Sequence, residues 1–252
     1  MTAAIDSSPE GFRNVSLADE EAVKEIVTTA VKNLWEAVNT LTRLRPSRIE
    51  RYRVAIFGSA RAGPGTFVYD EVKRAAAAFT AMGCDIVTGG GPGLMQAANE
   101  GAASVGDGHQ SVGIRVELPF EQETNPFVEQ VFTHKTFFSR LHHFVIASDA
   151  FVVAPGGIGT VLETFMIWQL LQVRCVQDVP LILVGPMWRD LVEWARTSML
   201  DSRLHMASPK DLDIPRCVET ADEAIVLVRE AHTRWRERQA AQPQHHQMRI
   251  AE

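Results

Sequence analysis

The sequence predicts an α/β protein: a Rossmann-like, doubly wound, mostly parallel sheet with helices on both faces and an N-terminal amphipathic helix. Three observations carry that expectation. Short, near-continuous apolar runs alternate with segments of helical period along most of the chain, the pattern of strands buried on both faces. Of the 17 glycines, ten fall in three short clusters, each directly after one of those runs. The 252 residues, 46% hydrophobic and 22% charged, suit one large globular domain.

In chain order, residues 1–16 read as a disordered lead-in. From Leu17 to Leu44 apolar residues recur at helical steps, Val23, Ile26, Val27, Ala30, Val31, Leu34, Trp35, Val38 and Leu41, and Pro46 closes the run. Such a stripe packs on a core or across a dimer. Arg53–Phe57 then reads as a strand, Tyr69–Met82 as a helix, Cys84–Val87 as a strand and Gly93–Ser104 as a helix. Gln110–Val116 and Glu129–Thr133 are strands, and Thr136–Ala147 is a helix. Ala150–Ala154 and Pro180–Val184 are strands, and Thr160–Val173, Met187–Met199 and Thr220–Gln239 are helices. The single Rossmann-like domain thus runs over 17–240, and 241–252 is a polar tail.

Composition excludes several classes. Lys and Arg total 25 against 31 Asp and Glu, a net charge of −6, which disfavours a nucleic-acid polymer as partner. The three cysteines, Cys84, Cys175 and Cys217, stand too far apart for a zinc site or a disulfide framework. His245 and His246 sit in the tail, and no metal is expected. Neither a signal peptide nor a membrane-spanning run is present, so the expected location is cytoplasmic with no membrane partner.

In open α/β sheets ligands sit beyond the carboxyl ends of strands, where loops feed helix N-termini. All three glycine clusters are expected there: Gly58-Ser59-Ala60-Arg61 with Gly63 and Gly65; Thr88-Gly89-Gly90-Gly91-Pro92-Gly93; and Pro155-Gly156-Gly157-Ile158-Gly159-Thr160. Glycine loops expose backbone N–H groups, and the following helix adds free donors and partial positive charge. The bland reading is a set of tight turns. The functional reading is a phosphate cradle walled by Gly89–Gly93 and Gly156–Gly159, with the cluster after Phe57 as an accessory. No P-loop occurs, and the loops lack the G-x-G-x-x-G register and its acidic ribose partner, so a mononucleotide or sugar phosphate fits better than NAD. No cofactor is expected.

Two charged residues complete the site. Glu163 in Thr160-Val161-Leu162-Glu163 is either the far half of a capping box with Thr160 as N-cap, or a carboxylate within a sugar's length of the bound phosphate. Arg140, fifteen residues before Pro155, can return near that loop and hold an anion in its fork; a plain surface charge is the alternative. Packing suits His142 and His143, and Asp149 reads as a turn residue.

These residues resemble the LOG family of nucleotide phosphoribohydrolases, named for the plant Lonely Guy enzymes that activate cytokinins. The family pattern P-G-G-x-G-T-x-x-E is met at every specified position by Pro155–Glu163. The triple glycine with G-L-M matches Gly89–Met95 with one spacer fewer, and the family's arginine falls on Arg140. Gly58-Ser59-Ala60 matches the turn after the first strand. The likeness spans about residues 50–200, and Leu118–Gln122 with Asn125-Pro126 looks like its bacterial branch. The departures are Leu141 for the lysine of R-K, Leu162 for an acidic residue, and Thr88 for a tyrosine.

The resemblance implies hydrolysis of the N-glycosidic bond of a nucleoside 5′-monophosphate, AMP-like or a cytokinin riboside monophosphate, to free base and ribose 5-phosphate. It makes Arg140 and Glu163 catalytic. Ser59, Gly90, Gly91, Gly156, Gly157, Gly159 and Thr160 would hold the phosphate. It also implies a homodimer or higher homo-oligomer. Proteins of this family have carried the label lysine decarboxylase, a chemistry that needs a Schiff-base lysine. The chain has only Lys24, Lys32, Lys73, Lys135 and Lys210, and only Lys135 is expected near the cleft. The rival from another class is a noncatalytic nucleotide or phosphorylated-cofactor carrier, which needs the loops but not Arg140 and Glu163 together.

Overall fold

The computed structural model describes residues 16, 18–43, 51–106, 108–117, 123–200 and 204–241. The lead-in before Ser16, the tail 242–252 and the bacterial-branch stretch 118–122 lie outside the described residues.

Seven strands form one sheet: β1 (Arg53–Phe57), β2 (Asp85–Thr88), β3 (Ser111–Val116), β4 (Gln130–His134), β5 (Ala150–Val153), β6 (Leu181–Val184) and β7 (Pro215–Val218). The order is β4-β3-β2-β1-β5-β6-β7, and every neighbouring pair is parallel. The chain therefore winds outward from β1 to β4, then returns to lay β5 against the other side of β1. That reversal puts a topological switch point between β1 and β5.

The central strands are buried on both faces. In β1, Val54 and Ile56 enter one core, while Ala55 and Phe57 enter the other. The first core is covered by α2 (Phe67–Ala81), α3 (Leu94–Ala103) and α8 (Ala221–Ala241). The second is covered by α4 (Phe137–Ala147), α5 (Ile158–Gln172), α6 (Pro186–Ala195) and α7 (Pro209–Leu212). The doubly wound α/β expectation holds, with a sheet that is parallel throughout.

α1 (Glu20–Arg43) occupies the expected N-terminal helix. Ile26, Val27, Val31 and Leu34 on its apolar stripe are each more than half exposed, so the chain's own core does not cover them. None of the described helices is long and apolar enough to cross a membrane.

Two elements escape the sequence pattern. β7 is four residues long and begins at Pro215, with Arg216 and Cys217 exposed as at a sheet edge. α7 is a single turn whose capping box joins Ser208 and Asp211, an S-x-x-D spacing that could have announced it.

Candidate active site

The three glycine loops meet at the switch point. The Ser59 N–H donates to Pro155 O (3.1 Å), and Ser59 O accepts the Leu94 N–H (2.9 Å). Gly58–Ala60 thus lies between the other two loops and is hydrogen-bonded to both sides through Ser59. Gly93 makes this possible. It has φ +70°, and a Cβ there would stand 2.4 Å from Ser59 O and 2.5 Å from the Ala60 carbonyl carbon. Both neighbours are backbone and cannot yield. Gly93→Ala is expected to cost about 2–3 kcal/mol or more, read as a lowered thermal midpoint.

Helix α3 starts at Leu94 with Gly93 as N-cap, so Pro92 precedes the helix instead of occupying its first turn. With the Leu94 N–H taken by Ser59 and the first intrahelical bond running from Ala97 to Gly93, the N–H groups of Met95 and Gln96 are left at the end of α3 with no backbone partner among the described residues.

The triple-glycine loop is pinned from behind by a buried polar network. Thr88 Oγ1 accepts the Gly90 N–H (2.9 Å) and donates to Asn99 Oδ1 (2.8 Å), while Asn99 Nδ2 donates to Ser111 Oγ (2.8 Å). Asn125 donates from Nδ2 to Gly91 O (2.9 Å) and Asn99 Oδ1 (3.0 Å), and its N–H reaches Gly90 O. Both backbone groups of Gly90 are therefore committed within the protein. Gly90 builds the loop, and donors for an anion must come from its neighbours.

Across the cleft, α5 begins at Ile158 with Gly157 as N-cap. The first intrahelical bond is Val161 N–H to Gly157 O, so the N–H groups of Ile158, Gly159 and Thr160 are left at the helix end. Gly157 and Gly159 are exposed with open space beside them. Gly156 lies against the Thr160 side chain, which is buried. The capping-box reading of Thr160 and Glu163 fails because the helix starts two residues earlier and places Thr160 inside its first turn. Glu163 turns instead to Arg140.

That pair is the centre of the site. Arg140 Nη1 donates to Glu163 Oε1 at 2.9 Å, and Arg140 Nε donates to Ile114 O at 2.9 Å. Its guanidinium also lies 5.1 Å from the Phe144 ring centre. The side chains of Arg140 and Glu163 are only 13% and 10% exposed, which excludes the surface-charge alternative for Arg140. The guanidinium reaches over Gly89, where a Cβ would stand 2.6 Å from both Arg140 Nη2 and Met95 Sδ. Burial raises the Glu163 pKa, and the charge and hydrogen bond of Arg140 oppose that rise without cancelling it. A buried ion pair contributes little net stability. Perturbed titration at the carboxyl edge of a sheet points to chemistry instead.

Among the other sequence candidates, Leu141 is buried where the family carries a cation. His143 is buried and bonded to His134, while His142 is exposed. Burial lowers the pKa of His134, with help from Arg140, and takes His143 to about 3. Their folded forms bind protons more weakly than the unfolded chain does. Stability is therefore expected to fall as pH drops from 6.5 toward about 3, a decline that thermal unfolding from pH 7 to pH 4 would register. Asp149 lies at the opposite edge of the sheet, where it accepts the Arg53 N–H. Among the described residues no group of three or more His, Cys, Asp or Glu could hold a metal ion.

The family model described as possible lysine decarboxylase matches residues 95–228, a little over half of the chain. A pyrimidine/purine nucleotide 5′-monophosphate nucleosidase of Escherichia coli K12 is 32% identical over 111 residues, 40% of this chain. The chain spans about a quarter of that relative's length, 24%. A molybdenum cofactor binding protein from Rippkaea orientalis shares the fold, with a TM-score of 0.55 and 16% identity over 73% of this chain and 98% of that one. The molybdenum cofactor carrier protein of Chlamydomonas reinhardtii is similar at 0.54 and 16%, over 72% and 98%. These structural likenesses establish the Rossmann-like architecture alone.

Proposed function

The chain belongs to the LOG family, and on that footing we propose that it hydrolyses the N-glycosidic bond of a nucleoside 5′-monophosphate. The observation that carries this reading is the buried Arg140–Glu163 pair beside the free N-terminus of α5. The nucleosidase relative supports it.

The 5′-phosphate would lie between the ends of α3 and α5, on the N–H groups of Gly159 and Thr160 with Gly91, Gly156, Gly157 and Ser59 shaping the cradle. Sugar and base then extend toward Glu163 and Arg140. Breaking the C1′–N bond builds positive charge on the sugar ring, and the Glu163 carboxylate opposes it. Water oxygen bonds to C1′ and one of its protons passes to Glu163. The bonding electrons leave with the base, whose nitrogen is protonated from solvent. Arg140 orients Glu163 and stabilises charge on the departing base; it stays protonated throughout. The location proposed with this reading is the cytoplasm.

Decarboxylation, named in the family description, needs a lysine in the cleft to hold pyridoxal phosphate. The residues do not fit that group. Lys73 is bonded to Glu100 (2.7 Å), Lys135 is on the exposed turn before α4, Lys24 and Lys32 are on α1, and Lys210 is on α7.

We also propose a homodimer. Phe138, Ile158 and Leu162 are exposed on the first turns of α4 and α5, the two helices that supply Arg140 and Glu163. A second copy covering them would close the cleft, and light scattering should give twice the chain mass.

The test of activity is direct. Incubation with AMP, GMP, CMP and an N6-prenylated AMP should release free base and ribose 5-phosphate from at least one, resolved by chromatography. Nucleotide bound without release from any of the four would point to a carrier.

A further inference from the structure

β4 is an edge strand, and His134 is its only buried residue. That side chain meets His143 in the middle of α4, Nε2 to Nδ1, at 2.8 Å. Phe132, two residues earlier on β4, lies edge-on to the His143 ring. His143 follows Arg140 by three residues, so the two share one side of α4.

Packing alone does not call for imidazoles here, because an aliphatic pair would fill the gap without burying ring nitrogens. A hydrogen bond adds direction, whereas apolar contact is non-directional. α4 begins at Phe137, three residues after His134, with Thr136 capping it through the Ser139 N–H (3.1 Å). The His134–His143 bond therefore closes a short strand-to-helix corner and fixes how α4 is rotated. Arg140 depends on that rotation, since its Nε and Nη1 must reach Ile114 O and Glu163 together.

The charge of the pair matters too. The groups that bear on it are Arg140 and His142 on α4 and Arg53 on β1, all potential cations, and burial with these neighbours lowers the pKa of both rings. A carboxylate in either position would compete with Glu163 for the guanidinium, and a further cation would repel it. Neutral polar side chains do neither.

We propose that His134 and His143 are positioning residues whose buried hydrogen bond sets the rotation of α4 and so holds the Arg140 fork on Ile114 and Glu163. The catalytic consequence rests on the hydrolase reading, while the geometry does not. His143→Leu and His143→Gln, made in the full chain, test it. In His143→Leu, kcat for nucleotide hydrolysis should fall about 10-fold with KM within about twofold, and His143→Gln should recover most of the loss. A second readout is independent of activity. The Arg140 Nε–H, held by Ile114 O, should exchange slowly with solvent by ¹⁵N NMR, about 10-fold faster in His143→Leu and near the parent rate in His143→Gln. A folded His143→Leu variant with parental exchange and kcat overturns the proposal. If the parent hydrolyses no nucleotide, the hydrolase reading falls and the exchange rates still decide the positioning. Should His143→Leu fail to fold, His134→Leu and His134→Gln give the same two readouts from the other ring.

Discussion

Glu163→Gln is expected to lower nucleotide hydrolysis by about 10²–10⁴-fold while leaving nucleotide binding within a few-fold of the parent. The amide keeps the volume of the carboxylate and can still accept from Arg140 Nη1, so the 2.9 Å contact and the packing around it survive. What it loses is negative charge beside the sugar and the ability to take a proton from water. The proposed phosphate cradle is made of backbone groups several residues away and is untouched. Base release and equilibrium binding, measured on the same preparation, separate the two effects. A variant that still hydrolyses at the parental rate would remove Glu163 from the mechanism. One that no longer binds nucleotide would make it a binding residue.

Removing the partner should be nearly as damaging, and it adds a directional signature in pH. Arg140→Ala is expected to reduce kcat/KM by at least about 10²-fold. Burial already raises the Glu163 pKa above its ordinary value of 4.5, and Arg140 restrains that rise. Without the guanidinium the carboxyl holds its proton to higher pH. If Glu163 acts as a carboxylate, activity rises as it ionises, so the acid limb of the residual rate must move to higher pH. Arg140→Lys keeps a charge but not the planar fork that serves Ile114 O and Glu163 together, so its rate should lie between parent and Ala. An acid limb that stays in place or moves down in Arg140→Ala contradicts Glu163 as the ionising group.

The parts of this site that could be read from sequence are those encoded locally. Pro155–Glu163 announces a glycine loop, a helix start and a carboxylate within nine residues, and the structure places them in that order. The Arg140 pairing was also accessible, because α4, β5 and the loop after β5 are contiguous and fold back over one another. The support behind the triple glycine was not. Thr88, Asn99, Ser111 and Asn125 lie on two strands, a helix and a loop, and only the tertiary fold makes them one network. Asn125-Pro126 could have hinted at it, since an asparagine entering a turn often bonds to backbone. The start of α5 lies ahead of the sequence expectation for a different reason. Gly157 caps it without a side-chain bond, and Thr160 offered a more familiar cap one turn too late. β7 is not legible in the sequence because four residues with a leading proline and two exposed side chains carry almost no period.

The hydrogen bond from Ser59 to Pro155 carries the β1–β5 pairing past the strand ends, at the line where the two halves of the sheet meet. On one side stand β2–β4 with the triple glycine; on the other stand β5–β7 with the loop that feeds α5. A nucleotide bridging both loops would act as a further fastener across that seam, present only when the chain is folded. By mass action, ligand at 100 times its dissociation constant then stabilises the fold by about 2.7 kcal/mol. On the proposed function, nucleotide occupancy would add to the protein's resistance to unfolding, so nucleotide supply would also bear on how long the protein lasts.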